Sequence, residues 1–249
     1  MANKILSILL QKGGFSFSVL KDKQWVHAAK VQVENSVEES YVDSLLEQMN
    51  QQLYLNQSYD EIKIAYLGSQ FNIVPNEYFE KEIDLQKWLE FNTEVFENDQ
   101  IKLTNLDAHQ AKLIYAFPFE VQNALQTKFS DFQIQSASEI FINSFQIETE
   151  SPQAFINIHL KQIEILVFKH KKLYFYNIFE VETKEDIIYY ILNCFKQLEL
   201  DANSIEVYYF GWTLEDAALK MLMNFVRHVM PGTSERTGLM HYSEIQNLS

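Results

Sequence analysis

The sequence predicts a mixed α/β protein in which one unit is written twice: three antiparallel strands, then helix, strand and helix. Three observations predict this. At a constant offset of 148, Phe15, Phe17 and Val19 fall on Ile163, Ile165 and Val167, and Leu20 to Lys23 falls on Phe168 to Lys171. The helix-start pair Asn35 and Glu38 falls on Thr183 and Asp186, and Tyr41 on Tyr189. After a shift of five residues in the next loop, Ile62 to Gly68 aligns with Ile205 to Gly211.

Each element has its own local signal. Residues 4 to 10 form a β-rich apolar run, and Phe15 to Leu20 alternates with period two, the mark of a half-buried strand. Gly13-Gly14 between them predicts a tight hairpin. Trp25 to Val33 is the third strand. Asn35-Ser36 opens a helix, with Glu38 and Glu39 set to complement its exposed N–H groups and Tyr41, Leu45, Leu46 and Met49 on one face. Ile62 to Leu67 is the fourth strand.

The second copy repeats the order. Its strands are Ala154 to Leu160, Glu164 to Phe168, Leu173 to Phe179 and Ile205 to Phe210, with a helix from Glu185 to Leu198 capped by Thr183. A further helix is predicted over Thr213 to Val229, stopped by Pro231-Gly232, and a short strand around Leu239 to Tyr242. Between the copies, the pattern predicts a strand at Gln70 to Val74 and an acidic amphipathic helix over Asn76 to Phe91. Strands at Ile101 to Leu106 and Ala111 to Phe117 follow, then a helix over Phe119 to Phe129. A return strand at Phe132 to Gln135 and a short helix over Ser138 to Phe145 complete it. Glu148 to Pro152 reads as the linker. The expected organisation is a first half at 1–150, with an inserted subdomain at about 69–110, and a second half at 151–249.

Composition narrows the partners. Apolar residues make up 47%, enough for a substantial core, and the net charge is −14, with Arg227 and Arg236 the only arginines. Such a surface repels phosphate, so nucleic acid is not expected as a partner, and a protein partner or homodimer is. Cys194 is the only cysteine and sits among Ile191, Leu192 and Phe195, which predicts a buried thiol in a reducing compartment. The apolar run at residues 5 to 10 is too short to span a membrane and lacks a small-residue cleavage site, so a soluble cytoplasmic protein is expected.

The duplicated strand-strand-strand-helix-strand-helix unit resembles the actin-like ATPase fold, two ribonuclease-H-like halves facing a cleft. Leu113 to Leu125 looks like the strand-Pro-helix segment of the first half of those proteins, and Ile134 to Phe141 like their next strand and connecting helix. Gly68 to Phe79 is similar to the entry into the inserted subdomain of type IV pilus and cell-division members. Taken whole, the chain resembles a Bacteroidetes-type family of unknown function with an actin-like fold. The resemblance rests on Ile73 to Phe79, on Asn177 and Phe179, and on Glu185 to Tyr190.

That resemblance implies a phosphate loop in each first hairpin, of the form Asp-x-Gly-x-x-Thr/Ser, whose amides cradle phosphate and whose Asp holds hydrated Mg²⁺. In the first copy the matching residues are Gln11, Gly13 and Ser16; the glycines remain and the carboxylate is an amide. In the second they are His159, Lys161 and Glu164, with Glu164 expected to face phosphate with like charge. The resemblance also implies a Gly-Gly pair after the last strand of the second half, which here is Gly211-Trp212. Gly13, Gly14, Ser16 and Gly211 are therefore the remaining candidates for a degenerate nucleotide cleft. ATP and Mg²⁺ are not expected as cofactors, because phosphoryl transfer requires the positioned metal.

Other motifs carry less. The six histidines lack zinc-type spacing, Asp107-x-His109 reads as a surface pair, and Lys169 to Lys172 as a solvated hairpin tip. Trp25, Trp88 and the Tyr189-Tyr190 and Tyr208-Tyr209 pairs read as packing residues. The expectation is a non-catalytic actin-fold binding or scaffold protein, a pseudo-ATPase. The alternative is a nucleotide-binding ATPase or sensor that uses the degenerate loop.

Overall fold

Period-two alternation at the N-terminus builds an antiparallel meander of β1 (Lys4–Gln11), β2 (Gly14–Lys21) and β3 (Gln24–Gln32). The computed structural model describes residues 4–33, 40–80, 84–211 and 216–232. Contacts divide the chain into two units, Met1–Asn143 and Ser144–Ser249.

In the first unit, α1 (Tyr41–Gln51) carries the chain to β4 (Glu61–Tyr66), which lies parallel beside β1. The Ser40 hydroxyl caps α1 by accepting from the Val42 N–H at 3.3 Å. The expected caps Asn35 and Glu38 lie outside the described residues. Farther on, α3 (Phe119–Lys128) leads to β8 (Gln133–Ser136), parallel beside β4, so the sheet order is β3-β2-β1-β4-β8. One face of this sheet presents Leu6, Ile8, Leu10, Phe15, Phe17 and Val19, all buried, to Leu45 and Met49 of α1 and to Val121 and Leu125 of α3. Burying each such side chain contributes about 1.5–3 kcal/mol, so this face organises the unit.

Between β4 and α3 lies a small sheet of β5 (Phe71–Pro75), β6 (Gln100–Leu106) and β7 (Ala111–Phe117), ordered β5-β7-β6 and spanning Phe71 to Phe117. Its core of Val74, Leu89, Ile114 and Ala116 is covered by α2 (Leu85–Glu90), and α4 (Ala137–Asn143) packs against β6 and β8. Of the helix expected over Asn76 to Phe91, only α2 is helical among the described residues. Asn76 to Tyr78 form turns instead, with Tyr78 N–H bonded to Pro75 O and Phe79 N–H to Asn76 O, and Asp84 supplies the N-cap.

The second unit has β9 (Gln153–Ile158), β10 (Gln162–Lys169), β11 (Lys172–Glu180), α5 (Lys184–Gln197), β12 (Glu206–Phe210), α6 (Ala217–Leu222) and β13 (His228–Pro231), with sheet order β11-β10-β9-β12-β13. The register repeats residue for residue at an offset of 148. Ile8 faces Phe17 and Ile156 faces Ile165, Phe15 faces Val31 and Ile163 faces Phe179. Even the bulges match, between Val19 and Leu20 and between Val167 and Phe168. Both following turns hold two non-glycine residues at left-handed φ: Asp22 and Lys23 at 52° and 65°, His170 and Lys171 at 53° and 61°.

Two expectations shift. Ile8 faces Ile64 while Ile156 faces Tyr209, so the fourth strands correspond at an offset of 145, two residues from the sequence alignment; a slip of two keeps every side chain on its face. The helix expected over Thr213 to Val229 is described only as α6, and His228–Pro231 is a strand pairing parallel with β12. Capping of α5 is as expected: Thr183 Oγ1 accepts from Asp186 N–H at 3.1 Å, and Asp186 accepts from Thr183 N–H at 2.9 Å. Leu239 to Tyr242 lies outside the described residues. No described helix is long and apolar enough to cross a membrane.

Candidate functional site

The first hairpin turns at Lys12-Gly13 between Gln11 and Gly14, with Gly13 at φ 83° and Gly14 at φ 144°, values that favour glycine. Its end is held from two sides. Val33 N–H donates to Gly13 O at 2.9 Å, and the Tyr41 hydroxyl donates to Gln11 O at 3.0 Å. Burial holds the Tyr41 phenol above its ordinary pKa, so it remains a neutral donor. Gln11, Ser16 and Ser18 are buried on the sheet face opposite Phe15 and Phe17. The hydroxyls of Ser16 and Ser18 have no hydrogen-bond partner among the described residues.

The equivalent hairpin of the second unit is chemically different. Glu164 is only 1% exposed and sits directly across from Asn157 in the β9–β10 ladder. Its Oε2 accepts from Asn157 Nδ2 at 2.8 Å and pairs with His159 Nε2 at 2.7 Å, and its Oε1 accepts from the Tyr176 hydroxyl at 2.6 Å. A buried carboxylate is tolerated only when donors saturate it, and three side chains do so here. With Glu164 ionised, the His159 proton sits on Nε2. Glu164, expected to face a phosphate with like charge, has both carboxylate oxygens on internal partners. Lys161, at the turn, reaches out to Glu182 at 3.6 Å.

Gly13, Gly14 and Ser16 thus share one hairpin of the first unit. Gly211 belongs to the second, directly after β12, at φ 79°. Nearby, Gly232 N–H donates to Tyr209 O at 2.8 Å, and a Cβ at Gly232 would lie 2.0 Å from the Phe210 ring, so the backbone approach there requires glycine. Trp212, which stands in place of the second glycine of the expected pair, lies outside the described residues.

The remaining candidates are structural. Cys194 is buried in the α5 core, which pushes its thiol up to about 11 and keeps it protonated. His109 Nε2 lies 3.1 Å from Ile142 O, tying the turn before β7 to α4, and burial lowers its pKa. Among the described residues no group of three or more His, Cys, Asp or Glu side chains converges as for a metal ion. Sequence reasoning missed Asn157 and Tyr176 as partners of Glu164. The available signal was a lone acid within the apolar run Ile163 to Phe168, facing a lone amide in Ala154 to Ile158.

The chain belongs to the DUF3822 family, proteins of unknown function, which it matches over residues 1–229. Among solved structures it is similar to a Bacteroides thetaiotaomicron protein of actin-like ATPase fold and unknown function. That match has 24% identity and a TM-score of 0.74, covering 92% of this chain and 91% of that one. It is also similar to the PilM–PilN type IV pilus biogenesis complex, with 8% identity and a TM-score of 0.60, covering 98% and 94%. No curated protein matches the sequence. The chain therefore has the actin-like ATPase fold.

Proposed function

We propose that this DUF3822 protein is a binding or scaffold protein of actin-like fold without Mg-ATP catalysis, a pseudo-ATPase. One observation carries the reading: Glu164 is saturated by Asn157, His159 and Tyr176 inside the sheet. In the first hairpin, Gln11 stands where a metal-handling carboxylate is expected, and an amide oxygen is a poor substitute for a charged ligand to hydrated Mg²⁺. The residues present therefore do not fit Mg-ATP, and no phosphoryl-transfer step is assigned. The PilM–PilN complex is a precedent for this fold within a protein assembly. A reducing, cytoplasmic setting suits the single buried Cys194 and belongs to the same proposal.

A nucleotide-binding reading is favoured by one feature, the unpartnered Ser16 hydroxyl beside Gly13 and Gly14. Thermal unfolding with and without millimolar Mg-ATP separates the two. A ligand at one hundred times its dissociation constant stabilises by about 2.7 kcal/mol, a rise of several degrees. The pseudo-ATPase reading expects no shift; a saturable rise lost in Ser16→Ala would replace it with the nucleotide reading.

A further inference from the structure

On the small sheet of the first unit, three aromatic rings form a continuous row. Phe79 stacks on Trp88 at 6.0 Å between centroids, and Trp88 meets Phe91 at 5.8 Å. The row ends in solvent, since Phe91 is 70% exposed, and Tyr78, next to Phe79, is 65% exposed. It is also held rigidly. Asn72 Nδ2 donates to Trp88 O at 2.7 Å, Asn92 Nδ2 to Asn72 Oδ1 at 3.1 Å, and Gln70 Nε2 to Glu94 O at 2.6 Å, which clamps the helix and its exit onto β5. Trp88 Nε1 is buried without a hydrogen-bond partner among the described residues.

The setting is acidic. Residues 76–99 hold eight Asp and Glu against two lysines. Glu77, Glu80, Glu94 and Glu97 are exposed, and among the described residues no ion pair neutralises them; Glu90 accepts from Gln86 at 2.8 Å. Among the described residues, α2 carries one cation, the exposed Lys87, and Lys112 Nζ sits 5.1 Å over the Phe79 ring. Lys112 occupies the Phe79 end, which leaves Phe91 as the open end of the row.

We propose that the Phe79–Trp88–Phe91 row is a docking surface for a basic peptide segment of a protein partner, one that carries an apolar anchor between arginines or lysines. The proposal rests on the reading of this chain as a binding protein and names the chemistry of its partner. A purely apolar segment would cover carboxylates without pairing them, which costs more than the contact returns. Nucleic acid and anionic membrane are repelled. A second copy of this chain brings a further net charge of −14. Arginine satisfies both features at once, because its guanidinium stacks on aromatic faces and pairs with carboxylates.

The test is a display selection of short random peptides on the full chain, followed by affinity measurement of synthetic peptides on variants that melt normally. Enriched peptides should place two or more Lys or Arg beside an aromatic or large aliphatic residue. Phe91→Ser, and the reversal Glu90→Lys with Glu94→Lys, should each weaken binding by about tenfold or more, as expected for loss of an interface anchor. The matched reversal Glu182→Lys with Glu185→Lys in the second unit should leave affinity unchanged. Enrichment of acidic or neutral peptides, no enrichment, or equal binding by the Phe91 and Glu90/Glu94 variants would overturn the proposal. So would concentration-dependent self-association lost in Phe91→Ser, because the occupant is then another copy. Failure here with no Mg-ATP shift removes this surface and leaves the binding-protein reading on other surfaces; a saturable Mg-ATP shift lost in Ser16→Ala removes that reading whatever the peptides do.

Discussion

The two first hairpins share a backbone and treat the same four positions in opposite ways. Leu9, Gln11, Ser16 and Ala28 in one correspond to Asn157, His159, Glu164 and Tyr176 in the other, and the registers agree, Leu9 facing Ser16 as Asn157 faces Glu164. In the second unit a buried acid has drawn in three donors. The first unit keeps a small hydroxyl, an apolar neighbour and a glycine turn. A charge in that sheet is tolerable only with its full set of partners, so the four residues behave as a single unit. The second hairpin has spent its polar atoms on its own interior.

The largest effect should come from breaking that unit. Glu164→Ala leaves the donors of Asn157, His159 and Tyr176 buried without their acceptor and should cost about 3–5 kcal/mol in urea unfolding of the full chain. Glu164→Gln should cost less, because its amide oxygen still accepts from Tyr176, although its NH₂ then meets other donors. A loss below about 1 kcal/mol for the alanine variant, the range of an ordinary solvent-compensated bond, would mean that water reaches these donors.

The strands of both units were legible because period-two burial and the offset of 148 act locally and reinforce each other, as in Phe15, Phe17 and Val19 against Ile163, Ile165 and Val167. Two helices were over-extended for a physical reason. Tyr78, Phe79, Leu85 and Leu89 have helical spacing, yet a turn after Pro75 and a short helix capped by Asp84 place Phe79, Leu85 and Leu89 at the same small core. Met223 caps α6, and Val229 enters a strand because β12 offers a parallel ladder, a long-range gain that local pattern does not contain. At the site, Glu164 was visible as a lone acid in an apolar run. Its donors were not, because assigning them requires the cross-strand register that sets Asn157 opposite it and Tyr176 on the next strand.

The second-strand turns sharpen the comparison at a smaller scale. Asp22-Lys23 and His170-Lys171 both hold two side-chain-bearing residues at left-handed φ, the geometry that Asn-Gly adopts without steric cost. Changing Asp22→Asn with Lys23→Gly should raise stability by about 1 kcal/mol in thermal unfolding. The matching pair His170→Asn with Lys171→Gly removes the contacts of His170 and Lys171 with Glu150 at 3.6 and 3.1 Å, so it should gain more in a Glu150→Gln background, where those contacts are already weakened, than in the parent chain. Equal gains in the two backgrounds would mean that those exposed pairs contribute nothing.

The smallest effect carries the opposite sign from the largest. Ser16 occupies the position of Glu164, and its buried hydroxyl has no partner among the described residues, so the folded state keeps a polar group that water would solvate better. Ser16→Ala removes that group with little change of shape and should be neutral or stabilising by up to about 1 kcal/mol in the same urea assay. A destabilisation would instead assign the hydroxyl a partner such as a bound water. The two substitutions together test whether identical strand positions contribute through opposite physics, one by a charge that cannot lose its donors and the other by a hydroxyl that loses nothing.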